Sequence, residues 1–429
     1  MKYEEYKDSG VEWIGEVPSH WEVCRFKDFT SLLTLASHDE NKIGLENIEG
    51  KTGRYIESSS EFEGDGVGFD IGDILYGKLR PYLQKVWIAT FAGNAVGDFF
   101  VFRPIEICNN IYLFYVMLSD GFTAMCNSAT IGAKMPRVSS DFIRGLHFFL
   151  PPLSEQQAIA DYLDAKCGEI NRAIDVQRKK IDLLNELKQT VITDAVTKGL
   201  NPNAPMKDSG VKWIGEVPEH WEVRKLKYLC RQEKYSIKTG PFGSQLKGED
   251  LKEEGDVRVY NQRNVLDNNF EDTKYFVTSN KAKLLKSFYT LPNDILLTSR
   301  GTIGKAALLP KGKIMGLLHP CLIAIRINKC IINPHYLLYY INEFKGFNTA
   351  IQLASNSTTI EVIYTDTIKN VLITLPSIQE QQAIVAHIEK EVSKIDTQIS
   401  KANRKIELLD ELKQSIITEA VTGKIKVFN

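Results

Sequence analysis

Several short stretches of this chain gather glycines with basic and amide side chains. In the second half, TGPFGSQLK (Thr239–Lys247) follows Lys238 and carries Gly240, Ser244, Gln245 and Lys247. NQRN (Asn261–Asn264) supplies Gln262 and Arg263, SRGTIGK (Ser299–Lys305) supplies Arg300 and Lys305, and NSTT (Asn356–Thr359) supplies Thr358. In the first half, ENKIGLENIEGKTGR (Glu40–Arg54) holds Lys42, Lys51 and Arg54. GKLRP (Gly77–Pro81) holds Lys78 and Arg80, and GAKMPR (Gly132–Arg137) holds Lys134 and Arg137. Glycine lets a backbone approach a phosphate. Arginine, asparagine and glutamine can pair bidentately with guanine or adenine edges in the major groove. One glycine turn with a lysine is ordinarily a solvated turn; the recurrence in both halves is what points to nucleic acid.

Catalytic patterns are absent. Gly304-Lys305 and Gly423-Lys424 lack the upstream glycine and the following Ser or Thr of a phosphate-binding loop. HExxH, GxSxG and GxGxxG do not occur, nor do the NPPF/NPPY signature of amino-methyltransferases or a PD…(D/E)xK nuclease set. The seven histidines are isolated, and His20 and His220 sit in a duplicated segment that suits a structural role. No catalysis, cofactor or metal is therefore expected of this chain alone.

Apolar residues make up 43% and charged residues 25%, a balance that fits globular domains with their own cores. No apolar run approaches the length of a membrane span, and the opening MKYEEYKDSG has no apolar region of a secretory signal. Seven cysteines without a CxxC pair read as reduced thiols, so a cytoplasmic location is expected. The net charge of −1 hides an asymmetry. Cys24–Leu150 holds 12 Lys+Arg against 15 Asp+Glu, a balance of −3, whereas Arg224–Leu375 holds 22 against 13, a balance of +9.

The elements that must position these loops come in duplicate. KDSGVEWIGEVPSHWEV (Lys7–Val23) returns as KDSGVKWIGEVPEHWEV (Lys207–Val223), differing only at Glu12/Lys212 and Ser19/Glu219. Trp13, Ile14, Val17, Pro18 and Trp21, broken by Gly and Pro, suit a compact hook rather than a regular element. A long amphipathic helix also occurs twice, over about Ser154–Gly199 and Ser377–Lys424, with no gap between the copies. Ser154 with Gln157, and Ser377 with Glu380, fit capping boxes two residues apart in register. Ile170, Ile174, Gln177, Ile181, Leu184, Lys188, Val191 and Ala195 alternate spacings of three and four. Ile395, Ile399, Ala402, Ile406, Leu409, Lys413, Ile416 and Ala420 do the same, a coiled-coil seam with polar breaks. Leu183, Leu187 and Ile192, matched by Leu408, Leu412 and Ile417, widen the apolar face beyond what a two-stranded coil needs. That extra stripe either packs on the chain's own domains or docks a partner.

Between hook and helix, each variable region reads as mixed α/β. FFVFRP (Phe99–Pro104) and CLIAIRI (Cys321–Ile327) suit strands; IYLFYVML (Ile111–Leu118) and HYLLYYI (His335–Ile341) suit helices. Gly72-Asp73-Ile74-Leu75 and Asn293-Asp294-Ile295-Leu296 are a faint shared echo. The expected fold class is α+β: two mixed α/β domains separated by two long helices that pair as an antiparallel coiled coil, a pseudo-twofold internal repeat. The expected boundaries are residues 1–150 for the first hook and domain, 151–200 for the central helix, 201–375 for the second hook and domain, and 376–429 for the C-terminal helix.

The duplicated hook, the runs LPPLSEQQAIADYLD and LPSIQEQQAIVAHIE, and the helix KIDLLNELKQTVITDAVTKG resemble the specificity subunit of type I restriction–modification systems. IGLENIEGKTGRYI, GDILYGKLRPYLQK and TGPFGSQLK look like pieces of that family's target-recognition domains. The resemblance implies a non-catalytic DNA-reading and scaffold subunit. Each variable region would read one half of a bipartite, asymmetric site on double-stranded DNA, with the helices as a ruler. Modification (methyltransferase) subunits using S-adenosylmethionine, and restriction (translocase/nuclease) subunits using ATP and Mg2+, would be the partners, with no membrane involved. Two departures stand out: Ser377-Ile378-Gln379 replaces Pro152-Leu153-Ser154, and Ser299-Arg300-Gly301-Thr302 replaces the KLRP of Lys78–Pro81. Without the resemblance, a coiled-coil adaptor with two protein-binding domains is the rival reading.

Overall fold

The computed structural model describes residues 2–11, 14–58, 62, 64–312, 315–355 and 362–428. The chain forms two compact units, Met1–Lys180 with Lys401–Asn429, and Ile181–Ser400. No helix among the described residues is long and apolar enough to cross a membrane.

In the first unit an antiparallel four-stranded sheet runs in the order Thr30–Leu33, Phe99–Pro104, Ile74–Gly77, Val86–Ile88. Its side chains alternate between two cores. Ile74, Tyr76 and Phe102 join Phe26, Phe122 and Phe148, whereas Leu75, Phe99 and Val101 join Phe69 and Trp87. Both faces are covered, which is why FFVF and ILY are continuous apolar runs instead of alternating ones. A second sheet carries Ala36–Ser37, Gly66–Phe69, Gly93–Ala95 and Lys42–Ile43, the last pair parallel.

The second unit repeats the plan. Ile237–Thr239, Leu322–Ile325, Ile295–Thr298 and Ala306–Leu308 form the four-stranded sheet. Ile295, Leu297, Ile323 and Ile325 face one core, and Leu296, Leu322 and Ala324 the other. The Asp of the shared echo is buried in both. Asp294 accepts from the Leu291 N–H at 2.8 Å, and Arg326 Nε lies 3.3 Å from it. Burial pushes the Asp294 carboxyl up despite Arg326. A carboxyl raised in the folded state binds a proton more readily there than in the unfolded chain. The contribution of Asp294 therefore declines as pH rises from the ordinary aspartate range through its raised folded value. Denaturant midpoints of the second unit around pH 4–6 (about the range just above an ordinary aspartate) should show that decline, and Asp294→Asn should flatten it.

The hooks are more regular than their Gly and Pro content suggests. Tyr6–Asp8 pairs antiparallel with Glu16–Pro18, and Met206–Asp208 with Glu216–Pro218. Backbone pairing through Lys7/Val17 and Lys207/Val217 closes each turn; Trp13 lies outside the described residues. Trp21 and Trp221 are fully buried. Trp21 Nε1 donates to Glu155 at 3.1 Å, and His20 Nε2 lies 2.7 Å from the same carboxylate. Trp221 and His220 meet Glu380 in the same way, each at 3.0 Å. The two histidines thus have the structural place expected of them.

The long helices span Leu153–Lys198 and Ile378–Val421. They begin in the same register, which corrects the two-residue offset read from the caps. Ser377 Oγ accepts from the Glu380 N–H, but its counterpart is Pro152, whose carbonyl accepts from Glu155 and Gln156, so Ser154 lies inside the helix. In the first unit Lys413 Nζ donates to Asn171 at 3.1 Å, and both Glu155 and Gly423 lie against Trp21, so the helices run antiparallel. In the second unit Lys188 meets Asp396 at 2.8 Å, and Gly199 lies close to Glu380, again antiparallel. Ile174, Leu184, Ile395 and Ala402 are buried in the seam; Ile181, Val191, Ile399, Ile406, Leu409 and Ile416 are half-buried. The extra apolar stripe divides. Ile192 and Ile417 enter the cores of their own units. Leu183, Leu187, Leu408 and Leu412 stay 48–65% exposed.

Candidate nucleic-acid interface

In the first unit three of the loops named from sequence meet. Leu79 bridges to Arg137, and the Arg80 N–H donates to the Pro136 carbonyl at 2.8 Å, which joins GKLRP to GAKMPR. The Lys51 N–H donates to the Gln84 carbonyl at 3.1 Å, bringing in the end of the Glu40–Arg54 stretch. Exposed Tyr82, Ile131 and Met135 lie on the same loops.

The cations of this unit fall into two groups. Arg137 makes a two-pronged pair with Asp98 at 2.9 Å, and Lys78 lies 3.9 Å from the same carboxylate. Arg54 pairs with Asp175 at 3.0 Å beside Glu49, which Arg178 also holds. Lys42, Lys51, Arg80 and Lys134 have no ion-pair partner among the described residues. Pairing thus answers part of the −3 balance: acidic side chains neutralise particular bases and leave others free.

In the second unit Gln262 Nε2 donates to the Thr302 carbonyl at 3.1 Å, so NQRN and SRGTIGK are joined. Arg300 bridges through its backbone to Val362 and is exposed. Arg263 pairs with Asp267 at 3.1 Å, Lys247 with Glu249 at 3.3 Å, and Lys305 Nζ donates to the Asn342 carbonyl at 3.3 Å. Lys238 is occupied. Its ammonium donates to the Ser287 carbonyl at 2.6 Å and stands 4.0 Å from the Phe288 ring centre, and burial lowers its pKa. Gly240 has a packing reason: a Cβ there would strike the His319 carbonyl. Ser244 and Gln245 lie on the exposed turn beyond it, where Gln245 Oε1 accepts from the Phe242 N–H. Thr358 lies outside the described residues.

A cavity of about 490 Å³ opens beside Gln262 and Arg263. Tyr275, His319 and Cys321 also line it, with the His319 ring stacked on Tyr275 and its Nδ1 2.9 Å from Cys321 Sγ. Burial lowers the His319 pKa. His319 and Cys321 were missed because LLHPCLIAI reads simply as a strand with its lead-in, and Tyr275 because it lies more than forty residues upstream in a separate stretch.

The hydrogen-bond pattern sets the two loops in register. Lys78 N–H donates to the Asp98 carbonyl as Ser299 N–H does to Cys321, and Val138 N–H donates to Lys78 as Ile363 does to Ser299. Gly77 N–H donates to Lys85 as Thr298 does to Lys305. Arg300 therefore stands where Leu79 stands, Gly301 where Arg80 stands, and Gly304 where Gln84 stands. Likewise the Gly44 N–H is accepted by Asn47 as the Asn261 N–H is by Asn264, so Leu45-Glu46 correspond to Gln262-Arg263.

Residues 18–181 and 218–409 match the type I restriction modification DNA specificity domain. The chain belongs to that specificity family. Within it, the chain is 26% identical to the type I restriction enzyme MjaVIII specificity subunit of Methanocaldococcus jannaschii, over 96% of this chain and 95% of that protein. It is 23% identical to the EcoBI specificity subunit of Escherichia coli, over 91% and 87%. A chain from a structural study of complex assembly and conformational transition in the type I R-M system shares the fold. Its TM-score is 0.69 at 17% identity, covering 95% of this chain and 99% of that one. The two matched segments carry the two sheets and their loops, so the duplication read from hook and helix is a duplication of the specificity domain.

Proposed function

We propose that this chain is the DNA sequence-recognition and scaffold subunit of a type I restriction–modification complex. Each specificity domain reads one half of a bipartite, asymmetric site, and the long helices set the spacer between the halves. The chain is not itself an enzyme. Modification subunits bring S-adenosylmethionine chemistry, and restriction subunits bring ATP- and Mg2+-dependent translocation and cleavage. The exposed leucines at 183, 187, 408 and 412 suit docking of the modification subunits.

One observation carries the reading of two different half-sites. The two domains share a fold yet present different chemistry at corresponding loop positions: Lys78-Leu79-Arg80-Pro81 against Ser299-Arg300-Gly301-Thr302, and Leu45-Glu46 against Gln262-Arg263. Common backbone hydrogen bonds place the loops, and the side chains that differ are of the kinds that read base edges. The test is a graft. Replacing Arg224–Leu375 by the corresponding domain of another specificity subunit should change one half of the methylated sequence and leave the other half and the spacer intact. Methylation mapped by sequencing reads the result. A grafted complex that methylates the parental sequence, or a parental complex without salt-dependent DNA binding, would refute the proposal.

A further inference from the structure

The backbone of the first unit holds two exposed cations in a conformation that side chains avoid. Arg80 has φ +51 and Lys51 φ +66, both in the left-handed region. A Cβ is disfavoured there, and glycine or asparagine normally fills such places. At the positions that answer to these two, the second unit follows that rule, although Tyr235 elsewhere in it also has a positive φ, +69. Gly301, the counterpart of Arg80, has φ +71. Asn268, four residues beyond Asn264 as Lys51 is beyond Asn47, has φ +46. At Arg80, where shared hydrogen bonds fix the correspondence, the fold therefore accepts the cheaper residue and the first unit does not use it; Lys51 answers to Asn268 only by its distance from the preceding asparagine.

A strained residue persists when something compensates for it. Gln84 shows what compensation inside the chain looks like. It also has a positive φ, +49, where the second unit has Gly304, but its side chain is buried and donates to Asp120 at 2.9 Å and Thr123 at 3.1 Å. Arg80 has nothing comparable. Its guanidinium is exposed and has no hydrogen-bond or ion-pair partner among the described residues, although Arg54 and Arg137 nearby in the fold are both paired with carboxylates. Lys51 is likewise exposed and unpaired. The loops that carry them adjoin, through the Lys51–Gln84 backbone bond.

We propose, resting on the DNA-recognition reading above, that Arg80 is the base-reading side chain of the first domain and that Lys51 seats the neighbouring phosphate. A guanidinium has only donors, in a fixed fork, and the major-groove edge of guanine offers two acceptors, O6 and N7. Arg80 is thus assigned a guanine in the first half-site. Lysine offers a point charge without that fork, which suits a phosphate.

The test uses the full chain assembled with its modification subunits, a pool of DNA sites randomised in the first half, and thermal unfolding of the chain. Arg80→Gly should leave Tm unchanged or raise it by about 1–3 °C, because the position favours glycine. It should lower discrimination at one base pair of the first half by about 10- to 100-fold, with the second half unaffected. Arg80→Lys should keep most of the affinity and lose the discrimination. Lys51→Asn should weaken all sites alike and reduce the salt dependence by about one phosphate. Arg80→Gly with full discrimination at every first-half position overturns the assignment. So does uniform weakening without relaxation at any position, which would make Arg80 a phosphate contact. Failure of the DNA-recognition reading would look different: the parental complex itself would show no preference in either half.

Discussion

Replacing Gln156 by leucine should lower the unfolding free energy of the first unit by about 3–6 kcal/mol, from three buried backbone groups left without partners at about 1–3 kcal/mol each, less some relaxation. Gln156 is fully buried just inside the central helix. Its Nε2 donates to the carbonyls of Ile107 at 2.9 Å and Pro151 at 2.8 Å, and its Oε1 accepts from the Asn109 N–H at 2.8 Å. Asn109 in turn caps the helix Asn110–Leu118, accepting from the Tyr112 N–H. One amide thus ties the start of the long helix to the recognition domain. Leucine has nearly the same volume, so the loss reports hydrogen bonding and not a cavity. Gln381 repeats the arrangement with Ile331, Pro376 and Asn333, and Gln381→Leu should act equally on the second unit. Gln157, one residue on, bonds Asn109 at the exposed surface, and Gln157→Leu should cost less than about 1 kcal/mol. Urea unfolding followed separately for the two units would check this; similar losses at 156 and 157 would sink it.

That amide shows what could be read from the sequence and what could not. The EQ pair was visible in both helices because it repeats without a gap, but its three partners lie up to 49 residues away and carry no local signal. The same limit applies to the candidate interface. Loops rich in glycine and basic residues were legible, and the fold does bring GKLRP and GAKMPR together. Which bases are free was not legible, because Arg54 and Arg137 are neutralised by Asp175 and Asp98, distant in the chain. Strain at Arg80 was hidden for a related reason. The sequence already set SRGT against KLRP, and so Gly301 against Arg80, but a left-handed backbone at that position leaves no mark in a loop of a different length. The hooks err in the other direction. Gly and Pro signalled irregular chain, whereas the six-residue pairing of Tyr6–Asp8 with Glu16–Pro18 brackets a turn that needs those residues.

Arg103→Met should destabilise the first unit by about 2–4 kcal/mol, toward the low side of the loss when one partner of a buried ion pair is removed. Asp73 is the reason. Its carboxylate is only 3% exposed, accepts from the Asp70 N–H at 2.8 Å, and is gripped by Arg103 through Nε and Nη2, each at 2.7 Å. Without the guanidinium a buried charge keeps one hydrogen bond and no counter-ion. The figure stays below the full range because Arg103 is 43% exposed, so water can reach part of the vacated space. Adding Asp73→Asn to Arg103→Met removes the stranded charge while the amide oxygen can still accept from Asp70. The double variant should therefore recover about 1–2 kcal/mol of the loss, a coupling expected of side chains in contact. Arg144→Met is the contrast, since its pair with Asp141 is exposed at 3.9 Å and one turn away; less than about 0.5 kcal/mol is expected. Added salt should erode the small effect and leave the large one, because a buried pair is screened far less than an exposed one. Equal salt sensitivity at 103 and 144, or no recovery in the double variant, would show that the guanidinium contributes by surface packing and that Asp73 is not a stranded charge.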